Sequence, residues 1–77
     1  MNYIRRYYSH NDCDNREEIE VLEGSVWLLV IVGGGNGHDI VRLTAGESWR
    51  EGWDELVGVY SSIEEAEAAQ DKIYDII

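Results

Sequence analysis

The sequence predicts a small α+β domain, in which three to four mostly antiparallel strands form a sheet and one C-terminal helix packs on one face. Residues 26–32 are an unbroken apolar run, which is typical of a central strand buried on both faces. A glycine-rich turn then leads into residues 38–44, which predicts a β-hairpin. Ser62 and Glu65 have the spacing of a capping box at the start of a helix. Seventy-seven residues are enough for one such domain, spanning 1–77.

The N-terminal part of the chain predicts further strands. Residues 2–8 are rich in aromatic side chains and indicate a strand, which is followed by a polar loop over 9–15. Residues 16–23 allow two structures. The alternation of Ile19 and Val21 with acidic residues favours a strand, whereas a polar cap just before the segment would also allow a short helix.

The C-terminal part predicts a short strand and the helix. Residues 45–55 form a loop or a single helical turn, and residues 56–60 form the strand. We expect the helix to run from Ser62 to about Tyr74, with acidic residues in the first turn, where the helix dipole favours them. The apolar residues that face the sheet at helical spacing are Ile63, Ala66 and Ile73.

The segment Glu-Leu-Val-Gly-Val-Tyr-Ser-Ser-Ile-Glu-Glu-Ala-Glu-Ala-Ala at residues 55–69 resembles the strand-to-helix segment of small uncharacterised bacterial and bacteriophage proteins. In those proteins an early strand, here residues 26–30, pairs with the Leu-Gly-Val-Tyr strand. The resemblance covers roughly residues 26–74 and implies this fold and a phage or mobile-element setting, without an activity. The family often adds a strand after the helix, which residues 2–8 would supply here.

The charge of the chain limits its partners. Sixteen acidic residues against six basic ones give a formal net charge of −10. Phosphate backbones repel such a chain, and there is no counterion release to drive nucleic-acid binding, so we expect no direct binding to DNA or RNA. An acidic surface suits a basic protein partner, whose encounter rate it raises. The alternative is that the charge serves solubility only.

The cysteine content and hydropathy predict a cytoplasmic protein. Cys13 is the only cysteine, which excludes an intramolecular disulfide and fits a reducing compartment. The longest apolar run, 26–32, is much shorter than a membrane span. The first residues lack the apolar stretch of a signal peptide. We therefore expect no membrane association.

The glycine run at residues 33–37 does not match a dinucleotide-binding fingerprint. With Gly33 as its first glycine, the third would fall on His38, and a strand rather than a helix follows. A hairpin tip is the better interpretation, and no nucleotide cofactor is expected.

The polar segment around Cys13 has metal-ligand residue types without the required pattern. His10 and Cys13, together with His38, are one ligand short of a zinc site unless a carboxylate joins them. In a calcium loop, Arg16 and Glu17 would occupy places that require a ligand and a glycine. We expect no metal.

Catalysis is not expected either. Cys13 lies between Asp12 and Asp14, whose charges would raise the pKa of its thiol rather than lower it. No pair of carboxylates lies in an apolar setting that would separate their pKa values for acid–base work. The sequence therefore predicts a protein that is not an enzyme.

A stripe of acidic residues follows the predicted helix at positions i, i+3, i+7 and i+11. Neighbours on such a stripe are about 5–6 Å apart at Cβ, close to the spacing of phosphates along a nucleic-acid strand. The stripe could therefore imitate a backbone and occupy a basic groove, or be an ordinary solvated face. Its residues are Glu64, Glu67, Asp71 and Asp75, and a second acidic cluster includes Glu17, Glu18 and Glu20.

Trp49 and Trp53 are candidate binding anchors. They are four residues apart, so in a helical turn both rings would face the same way. Tryptophan is enriched among residues that dominate binding energy. The alternative is that both rings cover the edge of the sheet as part of the core.

Two functions remain. The first is a non-enzymatic inhibitor, encoded by a phage or mobile element, that blocks the basic nucleic-acid-binding surface of a host defence complex. Such an inhibitor would be of the anti-CRISPR or anti-restriction type and would act on a basic host protein or ribonucleoprotein as a nucleic-acid mimic. The second is a structural or accessory module that forms a homodimer through a sheet edge.

Overall fold

The computed structural model describes residues 2–11, 14–33 and 37–75, and the side chains of 9–11, 14–15 and 74–75 lie outside that description. The described residues form six strands and one helix. In chain order these are β1 Tyr3–Asn11, β2 Asp14–Val21, β3 Ser25–Ile31, β4 His38–Thr44, β5 Ser48–Arg50, β6 Glu55–Tyr60 and α1 Ile63–Asp75.

The strands divide into two antiparallel sheets. The first sheet has the strand order β1-β2-β5, and the second has the order β4-β3-β6. The helix α1 packs on the second sheet, where it contacts all three strands. The α+β class with a packed C-terminal helix is therefore confirmed, with the strands shared between two sheets. None of the described helical residues belongs to a segment with the length and apolar character needed to cross a bilayer.

Strand β3 is the centre of the second sheet and is covered on both faces, as its continuous apolar sequence predicts. Val26, Leu28 and Val30 pack in one cluster with residues of the first sheet. Leu29 alternates to the opposite face, which α1 covers, and both Leu29 and Ala66 of the helix are fully buried.

Strand β2 faces the core with one side only. Ile19 and Val21 are buried in the cluster shared by the two sheets. Glu18 and Glu20 alternate with them and point away from the core, as expected for an antiparallel sheet with one face in water. The strand alternative for residues 16–23 is thus the correct one.

Two predicted loops contain strand residues instead. Residues 9–15 were expected to be a polar loop, but β1 continues through Asn11 and β2 begins at Asp14. Within 45–55, β5 replaces the expected loop or helical turn because Trp49 pairs with Ile19 at the free edge of β2. Pairing across the sheet supplies hydrogen bonds that neither segment could have alone.

The N-terminal strand does not extend the sheet beneath the helix. The resemblance suggested that residues 2–8 would take that place, but β1 pairs with β2 in the first sheet. The early strand and the strand before the helix, Leu-Val-Gly-Val-Tyr at residues 56–60, do pair, as β3 with β6.

Two glycine turns connect the sheets at one end. Gly24 and Gly46 have φ values of 74° and 89°, a region that glycine adopts without a Cβ penalty. The backbone N–H of Gly46 donates to the carbonyl of Val21 at 2.9 Å, and that of Ala45 donates to the carbonyl of Gly24 at 3.0 Å. These bonds join the β2–β3 and β4–β5 turns.

The helix begins with a modified capping box. The Ser62 hydroxyl accepts the backbone N–H of Glu65 at 3.2 Å. The Glu65 carboxylate reaches one residue further back and accepts the N–H and the hydroxyl of Ser61, at 3.3 and 3.1 Å. Of the residues expected to face the sheet, Ala66 is fully buried and Ile73 partly buried, but Ile63 remains 36% exposed.

Candidate partner-binding surface

The acidic stripe lies on the solvent side of α1. Ala66 is buried against the second sheet and fixes the rotation of the helix. Glu64, Glu67 and Asp71 fall on the opposite side and are all exposed. We call these three residues the acidic helix face. Asp75 continues the stripe in sequence, but its side chain lies outside the described part of the chain.

The charges of the acidic helix face are not neutralised locally. In the ranges that the structure describes, none of its three carboxylates takes part in an ion pair. Lys72 is the basic residue of α1, and it lines a groove on another side of the helix. The face therefore presents uncompensated negative charge to the solvent, which favours a basic partner.

The second acidic cluster has a different environment, because arginines neutralise it. Glu17 accepts Arg5 Nε at 2.5 Å, and Glu18 accepts Arg50 Nη2 at 2.6 Å. These hydrogen bonds are the main reason that the pKa of both arginines is raised above its usual value. The remaining pairs of this cluster join Arg6 to Glu18 and Glu20.

The arginine–glutamate pairs form part of the first sheet and not of the helix surface. The Arg50 guanidinium also lies over the Tyr8 ring, 4.3 Å from its centroid. The structure therefore does not bring Glu17, Glu18 and Glu20 together with the acidic helix face. Their role in partner binding stays a prediction, and their charges are already largely satisfied within the fold.

The two candidate tryptophans occupy separate environments. Trp49 lies in β5 and packs against the hydrophobic core, so it is only partly exposed. Trp53 lies in the loop between β5 and β6 and is 83% exposed. The helical turn that would have aligned the two rings is absent from this described segment, since residues 48–50 are extended. Trp53 alone keeps the accessibility that a binding anchor requires.

The exposed Trp53 ring is held in place by the β3–β4 turn. A Cβ atom on Gly33 would overlap the indole ring, so the absence of a side chain at this glycine lets the ring lie against the backbone. Next to it, the Asp54 carboxylate accepts the backbone N–H of Gly33 at 2.8 Å. The turn thus supplies a platform for Trp53. Sequence reasoning missed this contact because 20 positions separate the two residues.

The sequence also did not predict a groove that lies between α1 and β6. Its volume is about 570 Å³. The pairing of β6 with β3 skips Val57, which forms a bulge and leaves this side chain 41% exposed at the groove. Gly58, a glycine in the middle of a predicted strand, is the sequence feature that could have indicated this bulge. The groove is lined by Val57, Tyr60, Glu65, Ala68, Ala69, Lys72 and Ile73.

The predicted absence of metals and nucleotides stays a prediction. No group of three or more His, Cys, Asp or Glu side chains within the described ranges is arranged to hold a metal ion. His10 and Cys13 lie outside the side chains that the structure describes, as do Gly34 and Gly35 of the 33–37 run.

Comparison with known proteins gave no match to a family model, a curated protein or a solved structure. The functional interpretation therefore depends on the geometry and charge of this chain.

Proposed function

We propose that this chain is a non-enzymatic binding module that occupies a basic, nucleic-acid-binding surface of another protein. The acidic helix face takes the place of the phosphate backbone. Successive carboxylates on this face are separated by one helical turn, about 5–6 Å at Cβ. Basic side chains that normally pair with successive phosphates can pair with them instead.

One observation carries this proposal, namely the contrast between the two groups of acidic residues. The arginines at positions 5, 6 and 50 pair with carboxylates of the first sheet. Glu64, Glu67 and Asp71 are left exposed without such pairs among the described residues. A solvated helix face can also carry unpaired carboxylates, so the charge-reversal experiment below distinguishes a binding role from solubility.

Trp53 offers an exposed apolar contact at the end of the second sheet where the C-terminal half of α1 lies. Strand β6 begins beside Ile31, and Gln70 of α1 donates to the carbonyl of His38 at 2.9 Å. The C-terminal half of the helix and the Trp53 loop therefore lie at the same end of the second sheet. An aromatic anchor beside a charged face is a common composition of protein-binding surfaces, because the apolar contact slows dissociation while the charges speed association.

The resemblance of residues 55–69 to small uncharacterised bacterial and bacteriophage proteins supports a more specific form of the proposal. In that form the partner is a basic host protein or ribonucleoprotein of a defence complex, such as a CRISPR effector or a restriction complex. The chain acts in the cytoplasm as its inhibitor and prevents nucleic acid from binding.

The proposal is tested by affinity capture with three forms of the chain. Immobilised parent chain is exposed to a lysate of the cells that produce it, and bound proteins are eluted with increasing salt and identified. The second form reverses the charges of the acidic helix face (Glu64→Lys, Glu67→Lys, Asp71→Lys). The matched control reverses three exposed charges elsewhere (Glu23→Lys, Asp39→Lys, Glu55→Lys).

We expect the parent and the control to retain basic nucleic-acid-binding proteins, which are released by salt or by added DNA. The reversed helix face should lose them. Equal retention by the reversed face and the control would contradict the proposal, since net charge alone would then explain the binding.

A further inference from the structure

The groove between α1 and β6 has an apolar floor with one charge at each end. Its apolar lining consists of Val57, Tyr60, Ala68, Ala69 and Ile73. Gly58 lets the Tyr60 side chain lie against the strand, because a Cβ there would lie 2.6 Å from the Tyr60 hydroxyl. Glu65 lies toward the N-terminal end of the helix and Lys72 toward its C-terminal end.

The charged residues are placed symmetrically about the centre of this helix surface. Glu65 and Lys72 are seven positions apart, two turns or about 10 Å along the axis, so they share one side of the helix. The midpoint between them falls at Ala68 and Ala69. These small side chains allow another helix to approach closely at that point.

Such a surface is complementary to itself. If two copies of α1 cross in antiparallel orientation at Ala68 and Ala69, Glu65 of each copy meets Lys72 of the other. A two-fold axis repeats both contacts, as in an isologous dimer, where the same patch serves on both subunits. A partner carrying only basic residues would meet Lys72 with like charge.

We propose that this groove binds a second copy of the chain, forming a two-fold symmetric dimer through α1. The apolar lining is buried across the axis, and two Glu65–Lys72 pairs close its ends. Each pair joins one acid to one base, so the two pairs add no net charge to the contact although each chain carries a net charge of −10.

The alternative of a dimer through the β6 edge is less favourable. The bulge at Val57 interrupts the regular register of this strand. Bulged edge strands are poor templates for pairing with another strand. The same bulge turns Val57 toward the helix groove, where it adds apolar area to the helix-mediated contact.

This inference is independent of the proposed function. Of the acidic helix face, Glu67 lies farthest round α1 from the groove, whereas Glu64 and Asp71 lie one turn from Ala68, at the border of the dimer contact. Dimerisation is measured on the purified chain alone. Its failure would leave the basic-partner proposal intact, and the reverse also holds.

The test uses charge exchange and analytical ultracentrifugation over a wide concentration range. Glu65→Lys places two lysines at each end of the dimer contact, and Lys72→Glu places two glutamates there. An equimolar mixture of the two variants restores both opposite-charge pairs in a heterodimer. Glu23→Lys, in the exposed β2–β3 turn, makes the same change in net charge as Glu65→Lys and serves as the control.

We expect the parent and the control to reach twice the monomer mass of 8.8 kDa as concentration rises. Each single variant should weaken dimerisation about tenfold or more, because symmetry repeats each repulsion. The mixture should recover the parent behaviour. A parent chain that stays monomeric, or single variants that dimerise as well as the parent, would overturn the proposal.

Because Glu65 also binds Ser61, Glu65→Lys could weaken the helix start. Lys72→Glu breaks no contact described within the fold, and its loss of dimerisation alone supports the inference. Ala68→Glu provides a second test. The position is exposed, so the substitution should not disturb the fold, but the glutamate side chains of the two copies would collide at the two-fold axis.

Discussion

The carboxylate of Glu51 accepts the backbone N–H of Leu56 at 2.8 Å, and its other oxygen accepts the N–H of Glu17 at 2.7 Å. Leu56 belongs to the second sheet and Glu17 to the first, so one side chain joins the two sheets. The backbone of Glu51 adds to this link, because its N–H donates to the carbonyl of Glu17 and its carbonyl accepts the Tyr8 hydroxyl.

We predict that Glu51→Gln destabilises the domain. The amide has one acceptor oxygen, so one of the two backbone N–H groups loses its partner. Leaving a partly buried donor unsatisfied should lower the free energy of unfolding by about 1–3 kcal/mol. Urea denaturation measures this loss, with the exposed Glu55→Gln as the control. Equal midpoints for the two variants would show that the bridge does not stabilise the fold.

A charged substitution in α1 should destabilise the domain more at Ala66 than at Ile73. Ala66 is fully buried against the second sheet, whereas Ile73 is partly exposed in the groove. Ala66→Asp places an unpaired charge beneath the helix and should prevent folding, because a small domain has little stability to lose. Ile73→Asp should fold with a lower melting temperature. Circular dichroism on heating distinguishes the two, and the opposite order would mean that the helix faces another way.

The two tryptophans should respond differently to truncation. Trp49→Ala removes part of the core and should cost at most about 3 kcal/mol, since the ring is only partly buried. Trp53→Ala should change stability by less than about 0.5 kcal/mol, as is usual at exposed positions. Chemical denaturation of both variants checks these values. A large loss for Trp53 would assign it to the fold rather than to binding.

Glu47 should contribute a pH-dependent part of the stability. Its carboxylate accepts the N–H and the hydroxyl of Thr44, both at 2.7 Å, and the backbone hydrogen bond is the main reason that the pKa of Glu47 is lowered from 4.5. A lowered pKa in the folded state means that the stabilisation is present above pH 4.5 and is lost as pH falls through the folded value.

The measurement compares the parent with Glu47→Gln by urea denaturation at neutral pH and at successively lower pH below 4.5. The difference in stability between the two proteins should shrink as Glu47 of the parent becomes protonated. A difference that stays constant over this range would contradict the assigned hydrogen bonds.

The sequence by itself determined the elements that follow from local patterns. The apolar run of β3, the alternation of Ile19 and Val21, and the Ser62 cap each depend on neighbouring residues, because strand periodicity and capping are short-range effects. The alignment of Glu64, Glu67 and Asp71 along one side of α1 follows in the same way, because residues three and four positions apart share one face of a regular helix.

Only the tertiary structure decided how these elements combine. The pairing of β5 with β2, the ion pair of Glu18 with Arg50 and the contact of Trp53 with Gly33 all join residues that are at least 20 positions apart. Composition shows that sixteen acids and six bases are present, but not which of them meet. Folding brings Arg50 to Glu18 because β5 pairs with the free edge of β2. It leaves Glu64, Glu67 and Asp71 in water because α1 covers the other sheet with its opposite side.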